Sequence, residues 1–166
     1  LLSAVLFVTL FQIGGTLTWL PPWLEETSGF PPLQAGLAAM TFSLVGIPSA
    51  LLGGYLADRL TGPRALRIVR MSMAGVLVST AVIALGWLQG ARWFPLVILV
   101  IVLSRWGSFM AVGPLLSLVP RLARPGEEGS LMGVVNAVTM SGSVAASFVG
   151  GLIIEAAGNY RALWIV

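Results

Sequence analysis

The chain has 166 residues, 57% of them apolar and 9% charged, with a mean hydropathy of +0.97; a soluble domain carries about 25% charged residues, so lipid must face most of this one. With no cysteine and no histidine it offers no thiol nucleophile, disulfide, imidazole base or usual zinc or haem ligand, and no metal or cofactor is expected. The net charge of +3 comes from arginines lying between apolar runs, which marks membrane loops rather than nucleic-acid binding.

At about 20 apolar residues per spanning helix, the chain has room for five or six spans and no soluble domain. The apolar runs predict an all-α, polytopic bundle: helices near 1–24, 33–57, 65–88, 93–119 and 129–156, with a sixth opening at about 160. The first span carries Gln12 and Thr16 and closes on Trp19-Leu20-Pro21-Pro22-Trp23. Glu25 to Pro32 form a break rich in acids, glycine and proline. The second span ends near Ala57, and Thr61-Gly62-Pro63 separates it from the third. Gln89-Gly90 punctuates the way to the fourth, which holds Arg105, Gly113 and Pro114. Arg124 to Gly129 precede the fifth, and Gly158-Asn159 end it. Both chain ends fall within apolar runs, so the segment is expected to be cut from a longer protein.

Arginine placement sets the expected orientation. Arg59, Arg64, Arg67 and Arg70 lie around 58–70, and Arg121 and Arg124 around 120–128; the opposite side has only Arg92 and Arg161. The positive-inside rule puts the first two connections in the cytoplasm. Trp19, Trp23, Trp87 and Trp93 then fall near the outer interface, where indoles prefer to sit.

Small residues are spaced for helix contact. On the fifth span Gly142, Ala146 and Gly150 recur every four residues, which puts them on one face and lets another backbone approach.

The segment Gly53-Gly54-Tyr55-Leu56-Ala57-Asp58-Arg59-Leu60-Thr61-Gly62-Pro63-Arg64 joins the second and third spans. It resembles the signature loop of the major facilitator superfamily. Gly54, Asp58 and Arg59 match in register; Thr61 inserts one residue before Gly62, and Pro63 leaves Arg64 as the equivalent basic residue. Gly133, Gly142, Gly150 and Gly151 resemble the glycine-rich motif of the family's antiporters, but Ala146-Ser147 replace its Gly-Pro pair, so the bend that proline would give is not expected. The ending from Gly150 to Leu163 looks like the junction of the fifth and sixth helices of a six-helix repeat.

The resemblance implies that residues 1–166 form one transmembrane repeat of a twelve-helix carrier. The wording favours the C-terminal half, with the N-terminal half as the alternative. It also implies a cytoplasmic gate latched by the Gly54–Arg64 loop, and a site lined by the first and fourth helices of each repeat. Membrane lipid, the other half of the same chain and a small solute are the expected partners, in the plasma or inner membrane.

Three polar residues at membrane depth are the site candidates. Arg105 is the strongest, because an arginine at the bilayer centre costs about 2.5–3.5 kcal/mol on insertion scales and should face a cavity or a partner. The predicted spans hold no carboxylate at that depth, so a bound anion, backbone carbonyls or an acid outside this chain would have to satisfy it. Gln12 follows as a pathway-lining residue, while Asn136 reads better as an interhelical hydrogen-bonding group. Pro48, Pro95 and Pro114 mark places where backbone groups are freed.

The expected function is secondary active transport of a small solute by alternating access, with Arg105 favouring an anionic one over a cation. A non-transporting membrane scaffold is the alternative. An intramembrane enzyme is the weaker one, because Glu25, Glu26, Asp58, Glu127, Glu128 and Glu155 all fall in loops or at span ends.

Overall fold

The computed structural model describes residues 2–59, isolated positions between 67 and 81, residues 94–160, and residue 162. Four helices fill this range: α1 (Leu2–Ser28), α2 (Pro32–Arg59), α3 (Phe94–Leu122) and α4 (Glu128–Ala157). The last two are the fourth and fifth predicted spans. Each helix is long and apolar enough to cross a membrane. The shortest, of 27 residues, rises about 40 Å at ~1.5 Å per residue, against a hydrocarbon core of about 30 Å. No strand occurs among the described residues. The predicted third span over 65–88 and the sixth lie largely outside them, so four spans are seen where five and the start of a sixth were expected.

The helix ends follow local chemistry. Pro32 opens α2 at the position where a missing N–H costs nothing, and the Pro31 carbonyl accepts the amides of Gln34 and Ala35. Gly29 (φ +68°) ends α1 by bonding its N–H back to the Glu25 carbonyl, and Gly158 (φ +65°) ends α4 by bonding to the carbonyl of Ile154. One boundary differs from expectation. The Pro21-Pro22 pair does not stop α1, which runs on to Ser28. Proline removes donors to the preceding turn, but the next turn buries Trp23 and Leu24 in the core, and that burial keeps the chain helical.

The principal packings are α2 with α3 and α1 with α4. Both pairs are parallel, because contacts advance together along the two sequences. Phe30 meets Phe94, Phe42 meets Arg105, and Gly53 meets Met110. On the other seam Gly14 meets Ser143, Thr18 meets Ser147 and Trp19 meets Gly151. Where the helices touch most closely a side chain would not fit. A Cβ on Gly113 would stand 2.7 Å from the Gly54 amide nitrogen, and one on Gly142 would stand 3.2 Å from that of Phe11. Pro114 contributes by removing the donor that would otherwise bond the Met110 carbonyl, and this carbonyl abuts Gly53.

Two apolar clusters fill the interior at opposite ends. One joins Leu20, Trp23 and Leu24 of α1 to Ala35, Ala38 and Phe42 of α2 and Val97 and Ile101 of α3. The other joins Leu6, Ala111, Leu115, Val119 and Val135. Trp23 packs in the first of these clusters, buried between helices. Trp19 is half-buried with its ring 6.2 Å from that of Tyr160, and Trp87 and Trp93 lie outside the described residues.

Candidate functional site

Between the two apolar clusters runs a polar layer. Thr9 and Thr16 of α1, Ser49 of α2, Ser104, Arg105 and Ser108 of α3 and Thr139 of α4 are all buried. Most of their hydroxyls bond a carbonyl one turn back in their own helix, as Thr16 does to Gln12 and Thr139 to Val135. This satisfies a buried hydroxyl without joining helices. Two contacts do join them: Ser108 donates to Gln12 Oε1 at 3.2 Å, and the Thr18 and Ser147 hydroxyls lie 3.0 Å apart.

Arg105 is the one buried charge among the described residues, at 5% exposure. Its guanidinium carbon lies 3.9 Å from the centre of the Phe42 ring on α2 and 3.6 Å from that of Phe109, one turn along α3. Gly46 lies against the guanidinium, and a Cβ there would stand 3.2 Å from Nε and 3.4 Å from Nη2. The rings supply a cation–π environment, worth ~2 kcal/mol when desolvated. They accept no in-plane hydrogen bond, and Nε and Nη1 are buried with no acceptor. The aromatic partners were not foreseen. The signal was in the sequence, since Phe109 follows Arg105 at i+4 and Phe42 precedes Gly46 at the same spacing.

Gln12, Arg105 and Asn136 do not converge. Gln12 links α1 to α3 through Ser108 and extends its amide nitrogen toward the Thr16 hydroxyl at 3.4 Å. Arg105 faces α2. Asn136 is exposed on α4, flanking the face that buries Val135 and Thr139, and makes no hydrogen bond to another helix among the described residues.

The remaining motif residues divide between packing and surface. Gly54 packs against Gly113. Asp58 and Arg59 are exposed in the last turn of α2, with Arg59 over the Tyr55 ring at 4.7 Å, and Asp58 has no cation partner among the described residues. Gly62 and Arg64 lie outside them. Gly142, Ala146 and Gly150 are buried along one face of α4, and Gly151 lies beside Trp19. Gly133 is exposed with open space around it.

Residues 2–166 match the Major Facilitator Superfamily. The chain belongs to that family. It is therefore an integral membrane protein, with four described helices each long and apolar enough to span the bilayer. Two of the relatives it matches carry transporter names rather than enzyme names. It is 28% identical over 146 residues to a glycerol-3-phosphate transporter of Bacillus subtilis, covering 85% of this chain and 31% of that protein. It is 30% identical over 149 residues to a probable galactarate/D-glucarate transporter of the same organism, covering 87% and 32%. A tetracycline resistance determinant of Streptomyces rimosus is 40% identical over 82 residues, covering 49% of this chain and 24% of the determinant. The superfamily segment thus spans about a third of the length of the first of these relatives.

Proposed function

We propose that the whole protein carries a small anionic solute across the membrane by alternating access, and that this chain is one six-helix half of a twelve-helix carrier, the C-terminal one. The observation that carries the anionic reading is Arg105. Its charge is buried at membrane depth, its Nε and Nη1 donors have no acceptor, and a charge in that position is stabilised when an anion reaches it. Two of the relatives are named for glycerol-3-phosphate and for galactarate or glucarate, which are anions at neutral pH.

The parallel course of α2 and α3 supports the half-carrier reading. Two parallel spans need a return crossing between them, in agreement with the span expected over 65–88. The arginine bias supports a cytoplasmic position for 58–70 and 120–128. Asp58 supports a gating loop, because a carboxylate in the last turn of a helix opposes the helix dipole and makes sense beside a positive partner elsewhere. That partner is assigned to the other half.

Uptake by proteoliposomes containing the full-length protein tests this reading. Saturable uptake of an organic phosphate or dicarboxylate is expected, lost in Arg105→Ala and strongly slowed in Asp58→Asn. Undiminished uptake in Arg105→Ala would remove the site assignment. A single cysteine placed at Arg67 or Arg124 of the full-length protein, with any cysteine outside this chain replaced, also reports sidedness. Labelling from outside intact cells would overturn the orientation.

A further inference from the structure

Arg105 has an aromatic ring against its guanidinium from each of two helices, and two of its three nitrogens are buried without an acceptor. A guanidinium is a flat cation whose donors all lie in its plane, and a ring stacked on each face leaves those donors untouched while fixing the plane in which they point. The guanidinium carbon lies over both the Phe42 and the Phe109 ring, 3.9 Å and 3.6 Å from their centres. The two rings come from different helices, so the plane is fixed relative to the α2–α3 seam and not only to the backbone of α3. Beside the Nε and Nη2 atoms stands Gly46, which has no side chain to press on them; one added carbon would lie 3.2 Å and 3.4 Å from them and 3.6 Å from Phe109 Cε2. Nε and Nη1 remain buried with no acceptor.

Resting on the anionic-solute reading, we infer that Phe42, Gly46 and Phe109 form a clamp that orients the Arg105 guanidinium for edge-on, bidentate recognition of a carboxylate or phosphate group. The rings set which way the fork points and the glycine puts no side chain against it. A lysine at 105 would supply charge without a fork or a face to stack, so charge alone would not suffice. Phe42, Gly46 and Phe109 are positioning residues, acting through Arg105, and the group they select is an oxyanion with two oxygens in reach of one plane.

The test is equilibrium binding of glycerol-3-phosphate, D-glucarate, inorganic phosphate and uncharged glycerol to the purified full-length protein in detergent. The wild type is expected to bind at least one of the anions and not glycerol, and Arg105→Lys is expected to bind like Arg105→Ala. Phe42→Leu and Phe109→Leu should each weaken anion binding roughly thirtyfold, the scale of one desolvated cation–π contact, while Phe42→Tyr and Phe109→Tyr retain it. Gly46→Ala keeps both rings and removes a helix-interior glycine, so weakened binding in a variant whose thermal unfolding is unchanged or raised supports the clamp without ambiguity about folding. Wild-type affinity in Gly46→Ala and in both leucine variants, with loss in Arg105→Ala, would overturn the clamp and leave the anionic reading standing. So would full rescue by Arg105→Lys. Failure of the wild type to bind any of the three anions would overturn both.

Discussion

The α1–α4 seam and the α2–α3 seam are both parallel and both rely on glycine, yet they enclose different things. Along α1–α4 the small residues continue from Gly14 and Gly142 to Gly151, with hydroxyls meeting at Thr18 and Ser147, and the two backbones close on each other. Along α2–α3 the backbones close only toward one end, at Gly53, Gly54 and Gly113. At mid-height the seam holds Phe42, Arg105 and Phe109 around Gly46. A glycine can thus make room for a backbone or for a charge, and its neighbours decide which.

The sharpest way to break this comparison is to fill the closed seam. Gly142→Leu would drive a side chain into the Phe7 carbonyl and Phe11 amide of α1. Overpacking of this kind costs about 1–3 kcal/mol, so a clear fall in thermal unfolding temperature is expected in detergent. Gly133→Leu on the same helix, with open space around it, should leave that temperature unchanged. Equal losses in the two variants would mean that the α1–α4 packing is misread.

A subtler pair compares alanine on the two seams. A Cβ at Gly14 would stand 2.7 Å from the Ser143 Cα, which cannot swing away, whereas one at Gly46 meets only side-chain ends at 3.2 Å or more. Gly14→Ala is expected to lower stability while leaving anion affinity in the surviving folded protein near wild type. Gly46→Ala is expected to do the reverse.

Ser108→Ala removes the bond to Gln12 that ties α1 to α3. Interhelical hydrogen bonds in membranes average about 0.6 kcal/mol, so the unfolding temperature should fall only slightly, and Asn136→Leu, at an exposed position, should not lower it. A large loss in either would show that the polar layer is more tightly coupled than its hydrogen bonds indicate.

The smallest effect concerns the end of α4. Partial burial, then the Glu26 carboxylate and a hydrogen bond to it, raise the Tyr160 phenol above its ordinary value of 10.0. A raised value in the folded state means that the contribution is present below pH 10 and is lost as the pH climbs through the folded value. The wild type should therefore lose slightly more stability than Tyr160→Phe in unfolding measurements above that pH, and no difference between them would remove the Glu26 contact.

Much of the fold was legible because apolar length alone marks a span, and the four described helices lie where such runs were read. The α1 boundary was not, because Pro21-Pro22 is a local signal while the burial of Trp23 and Leu24 that overrides it is tertiary. For the site, Arg105 stood out by its cost, and Gly142, Ala146 and Gly150 by their period. The Phe42 contact could not be read from α3 alone, since it depends on the register of a helix more than 60 residues away in sequence, set by the Gly53–Met110 and Gly54–Gly113 contacts. Asn136 was harder still: composition shows a polar group at depth, and only the helix's rotation shows that it faces outward.

The parallel pairing has a consequence for how the protein is made. Thr18 and Ser147 are 129 residues apart, and at a synthesis rate of about 5–20 residues per second the first waits roughly 6–26 s for the second to leave the ribosome. Through that interval the glycine face of α1 lacks its α4 mate, and whatever shelters it, lipid or insertion machinery, must let go once α4 arrives.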